Sequence, residues 1–89
     1  MPLFGPPDIE KLKARRDVKG LIKALSYKKE AQIRYRAVMA LGELSDPRTV
    51  HSLTAALKDD DIKVREKAAR VLGKIGVAQA VQPLIEALS

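Results

Sequence analysis

The stretch IRYRAVMALGEL (33–44) returns 31 residues later as VREKAARVLGKI (64–75). Ile33, Ala37, Ala40, Leu41 and Leu44 fall on Val64, Ala68, Val71, Leu72 and Ile75. That spacing is one face of a helix, and its alanines let neighbouring helices approach closely. A shorter pattern alternates with it. VHSLTAAL (50–57) returns 31 residues later as VQPLIEAL (81–88), and VKGLIKAL (18–25) lies 32 residues before the middle copy. The extra residue falls in the turn SYKKEAQ (26–32). Val18, Leu21, Ile22 and Leu25 again trace an i, i+3, i+4, i+7 stripe. A period of about 31 residues built from two helical patterns means helix pairs that stack, because one pair cannot bury its apolar face alone. No segment alternates with period two, so no strand is expected.

The punctuation agrees with this reading. SDP (45–47) stops one helix and places Pro47 in the first turn of the next, where its missing N–H costs little. Gly76 is expected to end the helix over 64–75 as a left-handed cap, with a separate helix over 81–88. Pro83 then demands a bend or a late start. Gly42 and Gly73 recur at one phase inside the long helices. Each costs about 1 kcal/mol relative to alanine, which suggests close helix contact there, or an early helix end. Ahead of the repeats, PPDIEKLKARR (6–16) reads as a short helix with Asp8 as N-cap and Ile9 and Leu12 facing inward. MPLFG (1–5) is expected either to fold back as a lid or to stay disordered.

With 89 residues the chain has room for one domain and a modest core. The core is aliphatic, since Phe4, Tyr27 and Tyr35 are the only aromatic residues. The absence of Cys excludes disulfides and thiolate zinc sites. No apolar run reaches the roughly 18 residues of a membrane span, and the start lacks the features of a secretory signal. A cytoplasmic location is the expectation. The absence of Asn and Trp, with 31% charged residues, leans toward a thermophilic source. Charge is unevenly placed. Residues 1–36 hold ten Lys/Arg and four Asp/Glu, and residues 37–89 hold seven of each, so the net +6 belongs to the N-terminal part.

The pattern V-R-x-x-A-A-x-x-L-G-x-I-G (64–76), followed by V-x-P-L-I-x-A-L (81–88), resembles the HEAT-like repeats named after phycobilisome lyases. The resemblance spans about residues 17–89, with Ile33 and Val38 departing from it in the first long helix. The tetratricopeptide and ankyrin signatures are absent. The resemblance implies an all-α, right-handed α-solenoid, a superhelix of antiparallel helix pairs with about two and a half repeats. Residues 1–16 would cap it and 17–89 would form the repeats. In the related HEAT family a turn Asp and an Arg early in the next helix form a hydrogen-bonded ladder. Asp59 and Arg65 match those positions. Arg34 matches in the first copy, but Lys28 stands in place of the Asp. Some relatives attach bilins to proteins, yet those chains are longer and no bilin-site residue maps here. Others are iron-dependent hydroxylases with paired His-Glu motifs, whereas here the single His51 is followed by Ser52. Others bind DNA, and most are protein scaffolds.

Several sites invite chemistry and fail it. Asp59, Asp60 and Asp61 read as helix N-terminal residues rather than metal ligands, because adjacent side chains there diverge and no EF-hand spacing follows. Gly73–Lys74 lacks both the upstream glycine and the Ser/Thr of a phosphate loop, with Ala68 and Ile75 in those places. His51 lies beside its helix's apolar stripe, with no triad partner. No group supplies acid, base and nucleophile together, so the chain is expected not to be an enzyme and to carry no cofactor and no metal.

The best binding candidate is a stripe on the outer face of the two long helices. It comprises Tyr35, Arg36, Met39 and Glu43, with Glu66, Lys67, Arg70 and Lys74 one repeat on. Tyr and Arg are favoured interface anchors and an exposed Met is adaptable. The competing reading has Tyr35 and Met39 covered by the N-terminal segment. The expected function is therefore a protein–protein interaction scaffold. The alternative is nucleic-acid binding by Lys11, Lys13, Arg15, Arg16, Lys19, Lys23, Lys28 and Lys29 through phosphate contacts. The last short helix lacks a long partner, so an end-to-end or helix-exchanged homodimer is expected, unless the chain belongs to a longer array.

Overall fold

The computed structural model describes residues 5–88, with the side chains of 80–84 and 88 outside the description. All regular structure among the described residues is helical: α1 (Ile9–Ala14), α2 (Val18–Ala24), α3 (Ala31–Leu44), α4 (Val50–Ala56) and α5 (Ile62–Leu88). A single 3-10 turn, Pro47–Thr49, leads into α4. The expectations placed on Met1–Phe4 lie outside the described residues.

Local chemistry explains most boundaries. The Asp8 carboxylate accepts from the Lys11 backbone N–H at 3.0 Å and starts α1. Asp17 does the same for α2, accepting from Gly20 N–H at 2.9 Å. Helix α3 ends at Ser45, whose backbone is left-handed with φ 49°. Its hydroxyl donates to the Gly42 carbonyl at 2.9 Å. Asp46 then caps the next turn by accepting from Arg48 N–H at 2.8 Å. These are side-chain substitutes for the N–H and C=O groups that helix ends leave unpaired.

The core follows the two repeated stripes. Leu21, Val38, Leu41, Leu53, Val64 and Ile75 are almost wholly buried, with Ala37, Ala40 and Ala68 between them. Each of the larger side chains contributes about 1.5–3 kcal/mol by leaving water. Helices α2 and α3 pack as one pair, and α4 and α5 as the next. The pairs stack mainly through α3 against α5. They are in tight contact at Gly42, since a Cβ there would lie 2.7 Å from Val71 Cγ2. The close contact expected at both glycines is thus made at Gly42 alone. At Gly73 a Cβ would meet nothing within 4 Å. Helix α1 lies over α2 and α3 at the other end and buries Ile9.

Two expectations are corrected. Gly76 does not end a helix, and no separate helix starts late at Pro83: one helix runs from Ile62 to Leu88. No glycine has positive φ among the described residues. The reason is visible by comparison with Ser45, which stands 31 residues earlier. SDP offers a hydroxyl, a capping carboxylate and a proline, whereas GVAQA (76–80) offers no capping side chain and several good helix formers. The second correction concerns the ladder. The Asp59 carboxylate pairs with Arg34, not Arg65, through Nε at 2.8 Å and Nη2 at 3.0 Å. Arg65 instead donates from Nη1 to the Asp59 and Asp60 carbonyl oxygens at 2.7 and 3.1 Å. Arg34 likewise donates from Nη1 to the Tyr27 and Lys28 carbonyl oxygens at 2.9 and 3.2 Å, so it ties its own turn to the carboxylate of the following repeat, and Lys28 does not prevent it.

Candidate interaction face

Stacking α3 on α5 leaves two adjoining hollows along their common edge. One, of about 180 Å³, is lined by Met39, Gly42, Glu43, Lys67, Arg70, Val71 and Lys74. The other, of about 280 Å³, is lined by Tyr35, Lys63, Glu66, Lys67 and Arg70. Lys67 and Arg70 border both. The 31-residue spacing explains the convergence, since residues in phase on successive long helices face the same way.

Tyr35 is half-buried and packs on the core edge, leaving its side chain in the hollow. Met39 is 38% exposed, so the described residues do not cover it. Lys74 reaches back across the groove, with Nζ 3.4 Å from the Gly42 carbonyl oxygen. Glu43 is held from α1 by Lys13 at 3.0 Å. That contact, with Glu10 as second carboxylate, raises the Lys13 ammonium pKa above its ordinary value. Arg36 departs from the group. It turns toward α1, where it lies 3.6 Å from Glu10 and shares a small hollow with Ile9, Lys13 and Met39. Lys63 belongs to the groove but not to the sequence-based set. Its position one turn before Lys67 on the same helix was the available signal.

Three of the basic N-terminal residues share one hollow. Lys11, Arg15 and Lys23 rim a hollow of about 630 Å³ floored by Leu12, Gly20, Ala24 and Tyr27. Lys13 faces Glu10 and Glu43 on a different side. Lys28 lies beside Arg34, Asp59 and Asp60. Among the aspartates, Asp61 is the cap of α5, accepting from Lys63 and Val64 N–H at 2.8 and 3.2 Å. Gly73 and Lys74 lie within a continuous helix. No group of three or more potential metal ligands occurs among the described residues. No helix among them is long and apolar enough to cross a membrane.

Comparison with known proteins adds the family. A model of HEAT repeats matches residues 18–89. The phycocyanobilin lyase subunit alpha of a Picosynechococcus species is 44% identical, over 62% of this chain and 24% of its own length. The bilin biosynthesis protein PecE of Mastigocladus laminosus is 40% identical, over 63% of this chain and 21% of its own. PecE of a Nostoc species is 42% identical, over 63% and 22%. The chain thus spans about a quarter of the relatives it matches. These names overturn the expectation that the chain stands apart from enzymes, which rested on the absence of a recognisable catalytic group. A repeat surface carries no such signature, so its absence did not bear on similarity to a lyase subunit.

Proposed function

The chain belongs to the HEAT-repeat family, with repeats of the phycobilisome-lyase type, and from that premise we propose that it binds a protein partner through the α3/α5 groove. The observation that carries this reading is the convergence of Tyr35 and Met39 with Lys67, Arg70 and Lys74 around two adjoining hollows. An aromatic ring on the core edge, an exposed thioether and a guanidinium give a partner both apolar area and directed hydrogen bonds. Because α3 and α5 are locked together at Gly42, the groove is pre-organised and little ordering cost falls on binding.

The similarity to a lyase subunit and to bilin biosynthesis proteins supports a place in bilin lyase chemistry. There the module holds a protein component of the reaction in position. The test is co-purification from the source organism with wild-type bait and with Tyr35→Ala/Arg70→Ala. Partners held by wild type should be lost from the variant, whose melting temperature should stay within a few degrees, since neither side chain is fully buried. An unchanged set of partners would remove the groove from consideration.

A further inference from the structure

The α3/α5 groove carries a row of charge that the fold does not use. Lys63, Lys67, Arg70 and Lys74 stand at successive turns of α5 and line the two hollows. The repeat does not impose this row, because Gln32, Arg36, Met39 and Glu43 stand in phase with it one repeat earlier. Stability does not ask for it either. Like charges one turn apart weaken a helix, and Lys63 in the first turn of α5 opposes the helix dipole. Among the described residues no carboxylate lies within 4 Å of any of the four. Lys74 reaches only the Gly42 carbonyl oxygen. Nearby acidic side chains are engaged elsewhere: Glu43 with Lys13, Asp59 with Arg34, and Asp61 with backbone N–H groups at the start of α5. Glu66 remains on the groove as one carboxylate against four cations. Building on the reading of this groove as a partner site, we propose that its occupant is an acidic amphipathic helix of another protein. Asp or Glu residues at i, i+4, i+7 and i+11 of that helix face the α5 row, and its apolar side chains enter the hollows beside Tyr35 and Met39.

The spacing selects a helix. At about 1.5 Å per residue, the cations beyond Lys63 lie about 6, 10.5 and 16.5 Å along α5. A helix laid along the groove repeats those intervals residue for residue, in either direction, since the steps of four, three and four are symmetric. An extended segment presents same-side residues about every 6.7 Å, so its fourth carboxylate falls about 3.6 Å out of step. The lining selects protein over nucleic acid. Met39 and Val71 offer apolar surface to a side chain, and the lone ring of Tyr35 gives little to a run of stacked bases. Glu43 and Glu66 on the same rim repel a phosphate backbone at every approach, whereas a helix can set an apolar or basic residue against them.

The test uses the full chain and a fluorescent helix-forming peptide of about 20 residues, with Glu at i, i+4, i+7 and i+11 and Leu beside them. One control has the same composition with the glutamates moved to other faces. A second is a single-stranded DNA oligonucleotide of equal charge. By anisotropy at about 50 mM salt, the patterned peptide should bind at least ten-fold more tightly than either control, with the preference shrinking by about 300 mM. Lys67→Glu/Arg70→Glu should abolish that binding. The same variant should instead bind a peptide with lysine at the two middle positions, which also shows that it is folded. No binding, equal binding of the two peptides, equal or tighter binding of DNA, or indifference to the charge reversal each overturns the proposal. The groove itself is judged separately. If Tyr35→Ala/Arg70→Ala loses the co-purifying partners while the patterned peptide shows no preference, the groove stands and the acidic helix falls.

Discussion

At Asp59 two forces oppose each other. Burial pushes its carboxyl pKa up, but hydrogen bonds from Arg34 and the Asp61 N–H, with the charges of Arg34 and Arg65, outweigh it and hold the group below the ordinary carboxylate value. Arg34 is raised in turn, chiefly by its bond to Asp59. Both side chains are only about a tenth exposed, at 11% and 9%. Removing one partner leaves the other charge poorly solvated, so Arg34→Ala should cost about 3 kcal/mol. Arg65→Ala, which loses only carbonyl contacts, should cost about 1 kcal/mol. Urea titration of both variants checks the order. A depressed folded-state pKa gives stability that is complete above the unfolded value and lost as pH falls through the folded one. Wild type should therefore weaken below about pH 4, and Arg34→Ala should show a shallower loss there. Gly42 and Gly73 make the same point in packing. Gly42→Ala forces a Cβ onto Val71 and should destabilise by about 1–2 kcal/mol. Gly73→Ala has open space and should stabilise by up to about 1 kcal/mol. The sequence shows both arginines and both glycines in phase. It cannot show which has a neighbour, because that depends on what stacks next.

Among the elements, the two long helices and their faces were legible from spacing alone. Of the ten positions read as their apolar stripes, Ala37, Ala40, Leu41, Val64, Ala68, Val71 and Ile75 are buried and Ile33, Leu44 and Leu72 pack against the core. The caps at Asp8 and SDP were legible because they rest on side chains that bond to backbone locally. The run-on of α5 was not, because repetition argued for a turn at Gly76 while local chemistry argued for helix. Repetition is a record of the fold, but a turn forms only where residues stop a helix. Of the described side chains beyond Gly76, Val77 is 65% exposed and Ile85 54%. A helix without tertiary packing is marginal at this length. Hydrogen exchange should therefore divide α5. Amides near Val64–Ile75 should approach the protection of α3, and those of Val77–Gln79 should exchange orders of magnitude faster. Gly76→Ala should slow the latter, and uniform protection along the helix would contradict this division.

The whole molecule measures 57 × 28 × 16 Å, with a Cα radius of gyration of 14.3 Å. A compact chain of this length would have about 12 Å. The difference comes from α5 extending past the stack. Periodicity led the sequence-based reading to a separate short helix over residues 81–88 in place of the run-on of α5. Charge is divided along the chain, since the net +6 sits in residues 1–36, which include α1 and α2, and residues 37–89, which include α4 and α5, are neutral. Small-angle X-ray scattering distinguishes the two shapes. The extended form gives a radius of gyration near 14.3 Å and a longest dimension near 57 Å. A chain turned back at Gly76 falls toward about 12 Å. Replacing GVA at 76–78 with SDP transplants the hydroxyl, cap and proline that end α3. If capping chemistry is what distinguishes Ser45 from Gly76, that variant should contract toward the shorter value while keeping its helix content. An unchanged radius would mean that tertiary contacts, and not the turn residues, decide where the repeat folds back.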